Sequence, residues 1–490
     1  MTREEGLMSD RYDVVIIGAG MAGLVLATAL AQKGLKVRVI EQHAAPGGYQ
    51  GFFRRKGFTF DTCLHNIAEA GEGGSVGRIF AALGLGGTIG WIPLDPLYRA
   101  VFPDHDLLIP ADFNRHMDLL FSLFPKERKG IEDLFLVMEG ILKELGQLPS
   151  PGKLLLKYRE SVFQELLDEH LSDARLKAIL SSLWAYLGYP PSRISALLMS
   201  AFLSTVFTGG LYYPAGGAEG MVNTLVRAFQ QAGGELSLKQ KVRKIITLHG
   251  TAKGVETADG ERVESRVVVS TAAAAETFLS LIEKESLLSD PVQFLEGMEV
   301  GLSAFSVYLG VAMEKEEAEY YGQAVLAHSS YDSDEESVNL LKGDVEGSNV
   351  SLALPTMADT SLAPDKHACL SIYTPVPYHV QGIDWREEKE AFAERLIRRA
   401  EKIIPDLSHR IVVKETASPL TQERYTSNTM GATLGWAPTP KMLFGRPQNK
   451  TPLDKLYLAG HWTFPGGGVN SVIQSGWMTA NMILAEWGRG

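Results

Sequence analysis

The stretch Asp13–His43, DVVIIGAGMAGLVLATALAQKGLKVRVIEQH, constrains the fold more than any other part of the chain. It starts with a β-branched run, ends with a second one at Lys36–Glu41, and sets Gly18, Gly20 and Gly23 between them at fixed offsets. The apolar part, Val14–Leu30, falls short of the about 20 residues that a membrane span needs and is interrupted by those glycines. The pattern predicts a buried strand, a tight turn and a buried helix, with Lys36–Glu41 returning as a second strand.

Each glycine has a physical reason. Gly18 permits the tight turn, Gly20 lets backbone approach a diphosphate, and Gly23 lets the helix pack closely on the strand. The anion would sit at the helix N-terminus, where unpaired N–H groups and the helix dipole favour it. Glu41, closing the second strand, is placed to accept hydrogen bonds from ribose hydroxyls. The unit therefore reads as a dinucleotide site, for NAD or FAD. A nicotinamide dehydrogenase would continue with alternating strands and helices. Here the chain runs straight into PGGYQGFFRRKGFTFDTCLHN, with Gly47-Gly48 after the ribose acid and Asp61 ending the strand-like FTFD. That arrangement resembles the glutathione-reductase-type FAD proteins related to amine oxidases. The sequence has no second G-x-G-x-x-G, which argues against a reductase fed by bound NAD(P)H.

The 490 residues suggest two or three domains, and 45% apolar with 21% charged residues suits a globular protein. A formal net charge of −11, without a basic stripe, excludes nucleic acid as the main partner. Two cysteines, Cys63 and Cys369, make no disulfide framework, and the histidines lack metal-ligand spacing, so no metal is expected. The mixed-charge start MTREEGLMSDRYD is unlike a secretory signal. With no spanning segment either, the expected location is cytoplasmic, with peripheral membrane contact at most.

Further along, GGAEGMVNTLVRAFQQAGG predicts a helix with Met221, Val222, Leu225 and Phe229 on one face. Short strands follow, with a hairpin turn at Asp259-Gly260, and RVVVST (Arg266–Thr271) reads as a strand re-entering the first sheet. KLYLAG, the Pro465–Gly468 turn and GVNSVIQSGWMTANMILAEW predict a last strand, glycine bend and helix. The glycines of that bend are expected to admit the flavin end of an FAD, and the helix N-terminus can stabilise negative charge near N1 and O2 of the reduced ring. The expected fold is α/β, with a discontinuous Rossmann-like FAD-binding domain over 10–77, 214–289 and 425–490. A mixed β-sheet substrate domain is expected over 290–424, and a helical insert facing substrate and membrane over 78–213. The acidic SYDSDEES from Ser330 reads as a solvated loop. Ile179–Phe207, split by Pro190-Pro191, reads as a core helix pair or, alternatively, a greasy mouth resting on a membrane. Gly73–Gly77 (GGSVG) formally matches a nucleophile elbow but lacks the buried strand that motif needs.

Four stretches taken together, Gly47–Asn66, PDKHACLSIYTPVPYH, SPLTQERYTSNTMGATLGW and LYLAGHWTFPGGGVNSVIQSG, resemble the phytoene desaturase, carotenoid isomerase and retinol saturase family. FDTCLHN and HACLSIYTPVPYH are nearer to its retinol saturase and carotenoid isomerase branch. The resemblance implies FAD and a lipophilic polyene or isoprenoid substrate, desaturated, saturated or isomerised by hydride transfer at flavin N5. It also implies peripheral membrane contact, with a quinone or O2 as conceivable electron partner. Alternatives on the same fold are a flavin amine or porphyrinogen oxidase and a non-catalytic prenyl-binding escort protein. Two positions depart from the family pattern: His461 stands where many relatives have an acid, and Cys63 where a small residue is expected.

The candidate substrate wall is His65, Tyr425 and Trp436, with Arg54 or Arg55 near the flavin or pyrophosphate. Candidate cofactor contacts are Gly18, Gly20, Met21, Ala22, Gly23, Glu41, Gln42, Gly47 and Gly48 at the first turn. Val242 and Thr271 join them from the middle strands, and Gly460, His461, Gly467, Gly468, Val469 and Ser471 from the last turn.

Overall fold

The computed structural model describes residues 11–148, 150–283 and 295–488. The start of the chain as far as residue 10, and the expected boundary at 289–290, lie outside the described residues.

Strands Tyr12–Ile17 and Val37–Ile40 pair in parallel, Val14 opposite Val37 and Ile17 opposite Ile40, with helix Met21–Ala31 between them in sequence. That helix is buried on every face, the outcome expected of a helix without a polar side. Leu24, Val25, Leu26 and Leu30 are wholly shielded from water, each contributing about 1.5–3 kcal/mol. Helices Gly217–Gln231 and Val469–Trp487 pack against it. Gly476 makes the second contact possible, because a Cβ there would lie 2.3 Å from the carbonyl oxygen of Ala22.

The first sheet has seven strands. Its order is Glu235–Ser237, Val37–Ile40, Tyr12–Ile17, Arg262–Ser270, Thr251–Thr257 and Val242–Leu248, with Leu456–Leu458 also on Arg262–Ser270. Arg262–Ser270 runs parallel to Tyr12–Ile17 on one edge, Val267 opposite Val14. Its other edge changes partner midway, antiparallel to Thr251–Thr257 at Arg262–Glu264 and parallel to Leu456–Leu458 at Val268–Ser270. This exchange brings the middle of the chain and its C-terminal strand beside the N-terminal strand, as the α/β reading expects.

A second seven-stranded sheet holds, in order, Ile411–Ala417, Ser303–Ala312, His367–Val376, Val350–Ala353, Ala324–Ala327, Tyr98–Val101 and Asp106–Ile109. Helix Lys389–Glu401 covers it through Phe392, Leu396 and Ile397, which pack with Phe305, Val307 and Ile372. Two expectations need correction. The stretch 78–213 is not uniformly helical: Tyr98–Val101 and Asp106–Ile109 extend the second sheet, because their alternating Tyr98, Ala100, Leu107 and Ile109 side chains are buried. The acidic stretch from Ser330 is not a loop either: Asp332 caps a helix, Ser333–Leu341, and Glu336 is buried against His328 and Ser329.

The rest of 78–213 consists mainly of helices, the longest being Arg128–Leu145 and Ala196–Gly209, which pack on each other. Pro190-Pro191 falls between helices Trp184–Leu187 and Ala196–Gly209. Among the described residues no helix is long and apolar enough to cross a membrane.

Candidate functional site

The first turn is held by its own backbone. Gly18, at φ +98°, donates its N–H to Ile40 O, and a Cβ on it would meet Thr271 Oγ1 at 2.4 Å. Gly23 must be glycine because a Cβ would lie 2.3 Å from Gly18 O. The Thr271 hydroxyl donates to Ile17 O at 2.8 Å, so it locks the turn. Glu41 accepts N–H bonds from Ala19 at 2.8 Å and His43 at 2.9 Å, which fixes its carboxylate beside the turn. Gly47 donates its N–H to Ala19 O and pairs with Gly20, bringing the Gly47-Gly48 loop against the same turn.

Gly20 is different. Its φ is an ordinary −71°, a Cβ would meet no protein atom within 4 Å, and the residue lines a cavity of about 1000 Å³. Nothing in the chain itself demands glycine there, and the bare backbone leaves room for close approach from the cavity side. The cavity continues past Met21, Ala22, Glu41, Gln42, Gly48 and Val242 to Gly460, His461 and the last glycine bend.

At that bend the three glycines divide their work. A Cβ at Gly466 would strike Arg446 Nη1 at 2.0 Å, and one at Gly467 would lie 2.5 Å from Leu434 O. Gly467 is needed for packing on the Leu434 backbone and also lines the cavity, whereas Gly466 is favoured by its positive φ of +131°. Gly468, at φ +93°, has open space where its Cβ would be and faces the cavity as the cap of helix Val469–Trp487. The first-turn N–H groups of that helix, from Val469 to Ser471, have no intrahelical acceptor, Val472 being the first to bond back, to Gly468 O. Asn449 fastens the bend, its Nδ2 reaching Phe464 O, Ser475 Oγ and Thr479 Oγ1.

Between the two turns stands a group of aromatic and weakly polar side chains. His65 lies between the rings of Tyr186 at 5.8 Å and Tyr373 at 5.6 Å, and its ring has no hydrogen-bond partner among the described residues. Burial pushes its pKa down to about 4, leaving a neutral imidazole at pH 7. Burial also pushes the Cys63 thiol up to about 12, so it stays protonated and weakly nucleophilic. Trp436 donates its indole N–H to Trp462 O at 2.9 Å. Trp462 in turn donates to Asn428 Oδ1 at 2.6 Å, and His461 Nε2 lies 3.0 Å from the same oxygen. Because an indole can only donate, that Asn428 atom is an acceptor, and His461 carries its proton on Nε2. His461 too is pushed down to about 4, first by burial and then by the charge of Arg446.

The sequence candidates divide accordingly. His65, Trp436, His461 and the glycine-turn residues, Gly23 excepted, come together on the cavity wall, and Gly23 supports the wall from behind. Tyr425 is not brought to His65's wall: it is 59% exposed, at the rim near the ribose acid, with its ring 6.2 Å from that of His43. Arg54 and Arg55 are on the exposed strand Phe52–Arg55, paired with Glu219 and Glu415, and neither lines the cavity. Tyr49, Tyr186, Tyr373, Asn428 and Arg446 do line it and were not singled out from sequence. Of these, Tyr49, Tyr373 and Asn428 carried a signal, each standing inside a stretch quoted for the family resemblance.

A mixed sheet with a parallel core and two glycine turns opening onto one cavity is the arrangement of an FAD-binding α/β oxidoreductase. Residues 21–484 match the flavin containing amine oxidoreductase family, and the chain belongs to it. It is an FAD-dependent enzyme. Among curated relatives, the chloroplastic prolycopene isomerase of Daucus carota is 32% identical, the match covering 98% of this chain and 81% of that protein. A lycopene-forming phytoene desaturase of Pseudescherichia vulneris is 24% identical over 96% and 99% of the two chains. An all-trans-retinol 13,14-reductase of Danio rerio is 25% identical over 93% and 84%. Among solved structures, an oxidoreductase from Methanosarcina mazei superposes with a TM-score of 0.68 at 18% identity, covering 96% of this chain and all of that one.

Proposed function

We propose that this enzyme acts on carbon–carbon double bonds, or the single bonds next to them, of a long apolar isoprenoid such as a carotenoid or retinoid. The observation that carries this reading is the course of the cavity. Besides the glycine turns, His65 and Tyr186, its walls include Leu142, Leu145 and Leu148 at the end of helix Arg128–Leu145 and just after it, and Leu198, Ala201 and Phe202 of helix Ala196–Gly209, which packs on that helix. A nucleotide end followed by an aliphatic passage suits a polyene better than a charged amine. The relatives named for prolycopene, phytoene and retinol support the same substrate class.

In this reading Glu41 and the Gly18–Gly20 turn hold the adenosine diphosphate, and Gly468–Ser471 face the flavin end. FAD, when bound, supplies hydride acceptance or donation at N5. The chain positions the polyene and keeps water out. Neutral His65, Tyr373 and Trp436 offer the hydrocarbon an uncharged wall, and no charged acid–base pair is required. Tyr425, Arg54 and Arg55 take no part. We assign 11–77, 214–283 and 425–488 to the FAD domain, 295–424 with the strand pair Tyr98–Val101 and Asp106–Ile109 to the roof, and the helical part of 78–213 to the substrate passage.

The passage opens toward a membrane. Leu136 and Leu156 are exposed, and the exposed Lys143 and Lys153 stand near them in sequence, on either side of the cavity-lining Leu145 and Leu148. Apolar and basic residues together suit an anionic lipid surface. Flotation with anionic vesicles should carry the wild type upward and leave a Leu136→Glu, Leu156→Glu variant behind; equal flotation would remove the membrane from the account. The substrate reading is tested by anaerobic incubation with carotenoids, retinoids and polyprenyl quinones, following flavin spectrum and products together. Conversion of a polyene supports it, and turnover of amines alone would overturn it.

A further inference from the structure

Arg446 is 4% exposed, yet no carboxylate lies within ion-pair distance of it among the described residues. Its guanidinium donates from Nε to Met442 O at 3.3 Å and from Nη1 to Pro465 O at 3.0 Å, both neutral carbonyls. A buried cation without a counter-charge is costly, and arginine does not escape by losing its proton at neutral pH. Burial lowers its pKa to about 10, with no acid acting in the opposite direction. The residue nevertheless lines the cavity, and the last glycine bend passes close to it: the Cβ position of Gly466, a residue at φ +131°, lies 2.0 Å from Arg446 Nη1. Its charge is felt at His461, another residue of the same wall. The positive end of helix Val469–Trp487 opens onto the same region of the cavity. Two independent sources of positive potential thus converge at this bend, while Glu41, which is fixed to Ala19 and His43, belongs to the opposite turn.

We propose that Arg446 is the counter-charge for negative charge that develops on the pyrimidine edge of the bound flavin when the ring is reduced, and so sets its reduction potential. The inference rests on the reading that FAD spans the two glycine turns. Reduction adds two electrons and one proton at N5, as a hydride from substrate or in two steps from an added reductant. The ring then holds one negative charge delocalised over N1 and the C2 carbonyl oxygen. Arg446 makes no covalent bond and moves no proton; it positions charge. The diphosphate is not the anion assigned to it, because that group belongs at the Gly18–Gly20 turn.

The test uses the FAD-loaded full chain, with sulfite as the probe, since its adduct at N5 places the same negative charge on the ring. Arg446→Met should raise the sulfite dissociation constant at least tenfold and shift the two-electron midpoint potential negative, by about 30 mV for each tenfold. Arg446→Lys should keep both within about threefold of wild type. Should Arg446→Met not fold, the wild type still decides the matter: anaerobic photoreduction must give the anionic reduced spectrum even at mildly acid pH. A neutral reduced spectrum there, or an unchanged potential and sulfite affinity in Arg446→Met, would overturn the proposal. If Arg446→Met instead changes only KM for substrates bearing a carboxylate, the guanidinium serves substrate and the proposal is equally wrong. A chain that binds no FAD at all would remove the underlying cavity reading as well.

Discussion

Replacing Gly20 by valine separates what the chain needs from what the ligand needs. Gly20 has extended backbone, φ −71° and ψ 175°, and open space at the Cβ position, so a side chain there adds no backbone strain and its Cβ meets no protein atom. The fold should lose at most about 1 kcal/mol, the range for altering a helix N-cap. The new side chain would project into the cavity where the diphosphate lies, and FAD affinity should fall at least 100-fold, about 2.8 kcal/mol. With FAD at about 100 times the wild-type Kd, the wild type gains about 2.7 kcal/mol of linked stability, whereas the variant gains about 0.4. Gly23→Ala provides the contrast, since its Cβ would lie 2.3 Å from rigid backbone at Gly18 O. It should cost about 1–3 kcal/mol without any FAD present. Fluorescence titration of apoprotein with FAD, with thermal unfolding of the apo forms, measures both effects. If Gly20→Val bound FAD like wild type, or weakened the apoprotein as much as Gly23→Ala, the reasoning would fail.

Three further outcomes follow from the same geometry. His116 is buried between Phe207 and Phe135, with its pKa pushed down to about 4 by burial. Since that value is depressed in the folded state, its contribution to stability is present above pH 6.5 and disappears as pH falls toward 4. The loss is on the order of 3 kcal/mol, and His116→Phe should reduce acid sensitivity in that window on urea titrations; an unchanged pH profile would contradict it. Arg54→Ala and Arg55→Ala should leave FAD affinity within about twofold, because exposed ion pairs contribute about 0–1 kcal/mol. Tyr425→Ala should leave kcat unchanged in polyene assays, and a large drop would restore the residue to the reacting centre.

How much of this was legible in the sequence depends on whether the signal was local. Gly18, Gly20, Gly23 and Glu41 obey a spacing imposed by one turn, so a single window reveals them. The crossing of Arg262–Ser270 from one neighbour to another could be read from its continuous apolar run only as a buried strand, not as an exchange of partners. Arg446 carries no motif: its meaning comes from what is missing around it after the chain has folded. Tyr425 and Asn428 illustrate the limit well. Both are in SPLTQERYTSNTMGATLGW, but Pro419–Thr426 forms a helix ended by Ser427 at φ +52°. That turn leaves Tyr425 exposed and brings Asn428 to Trp462 and His461. Arg54 and Arg55 stand close to Gly47-Gly48 in sequence but not on the cavity wall, since Phe52–Arg55 pairs with Phe58–Asp61 and the two guanidinium groups meet Glu219 and Glu415.

In the proposed function one apolar chain lies beyond the flavin, against Leu142, Leu145, Leu198 and Phe202 of the cavity wall. The most direct measurement of this claim is anaerobic titration of FAD-loaded protein with a colourless long-chain isoprenoid, read by flavin fluorescence, for the wild type and Phe202→Arg. The predicted result is a saturable change in the wild type that is lost in Phe202→Arg while FAD content stays equal. A flavin signal indifferent to the isoprenoid, or the same saturable response in both proteins, would contradict the claim.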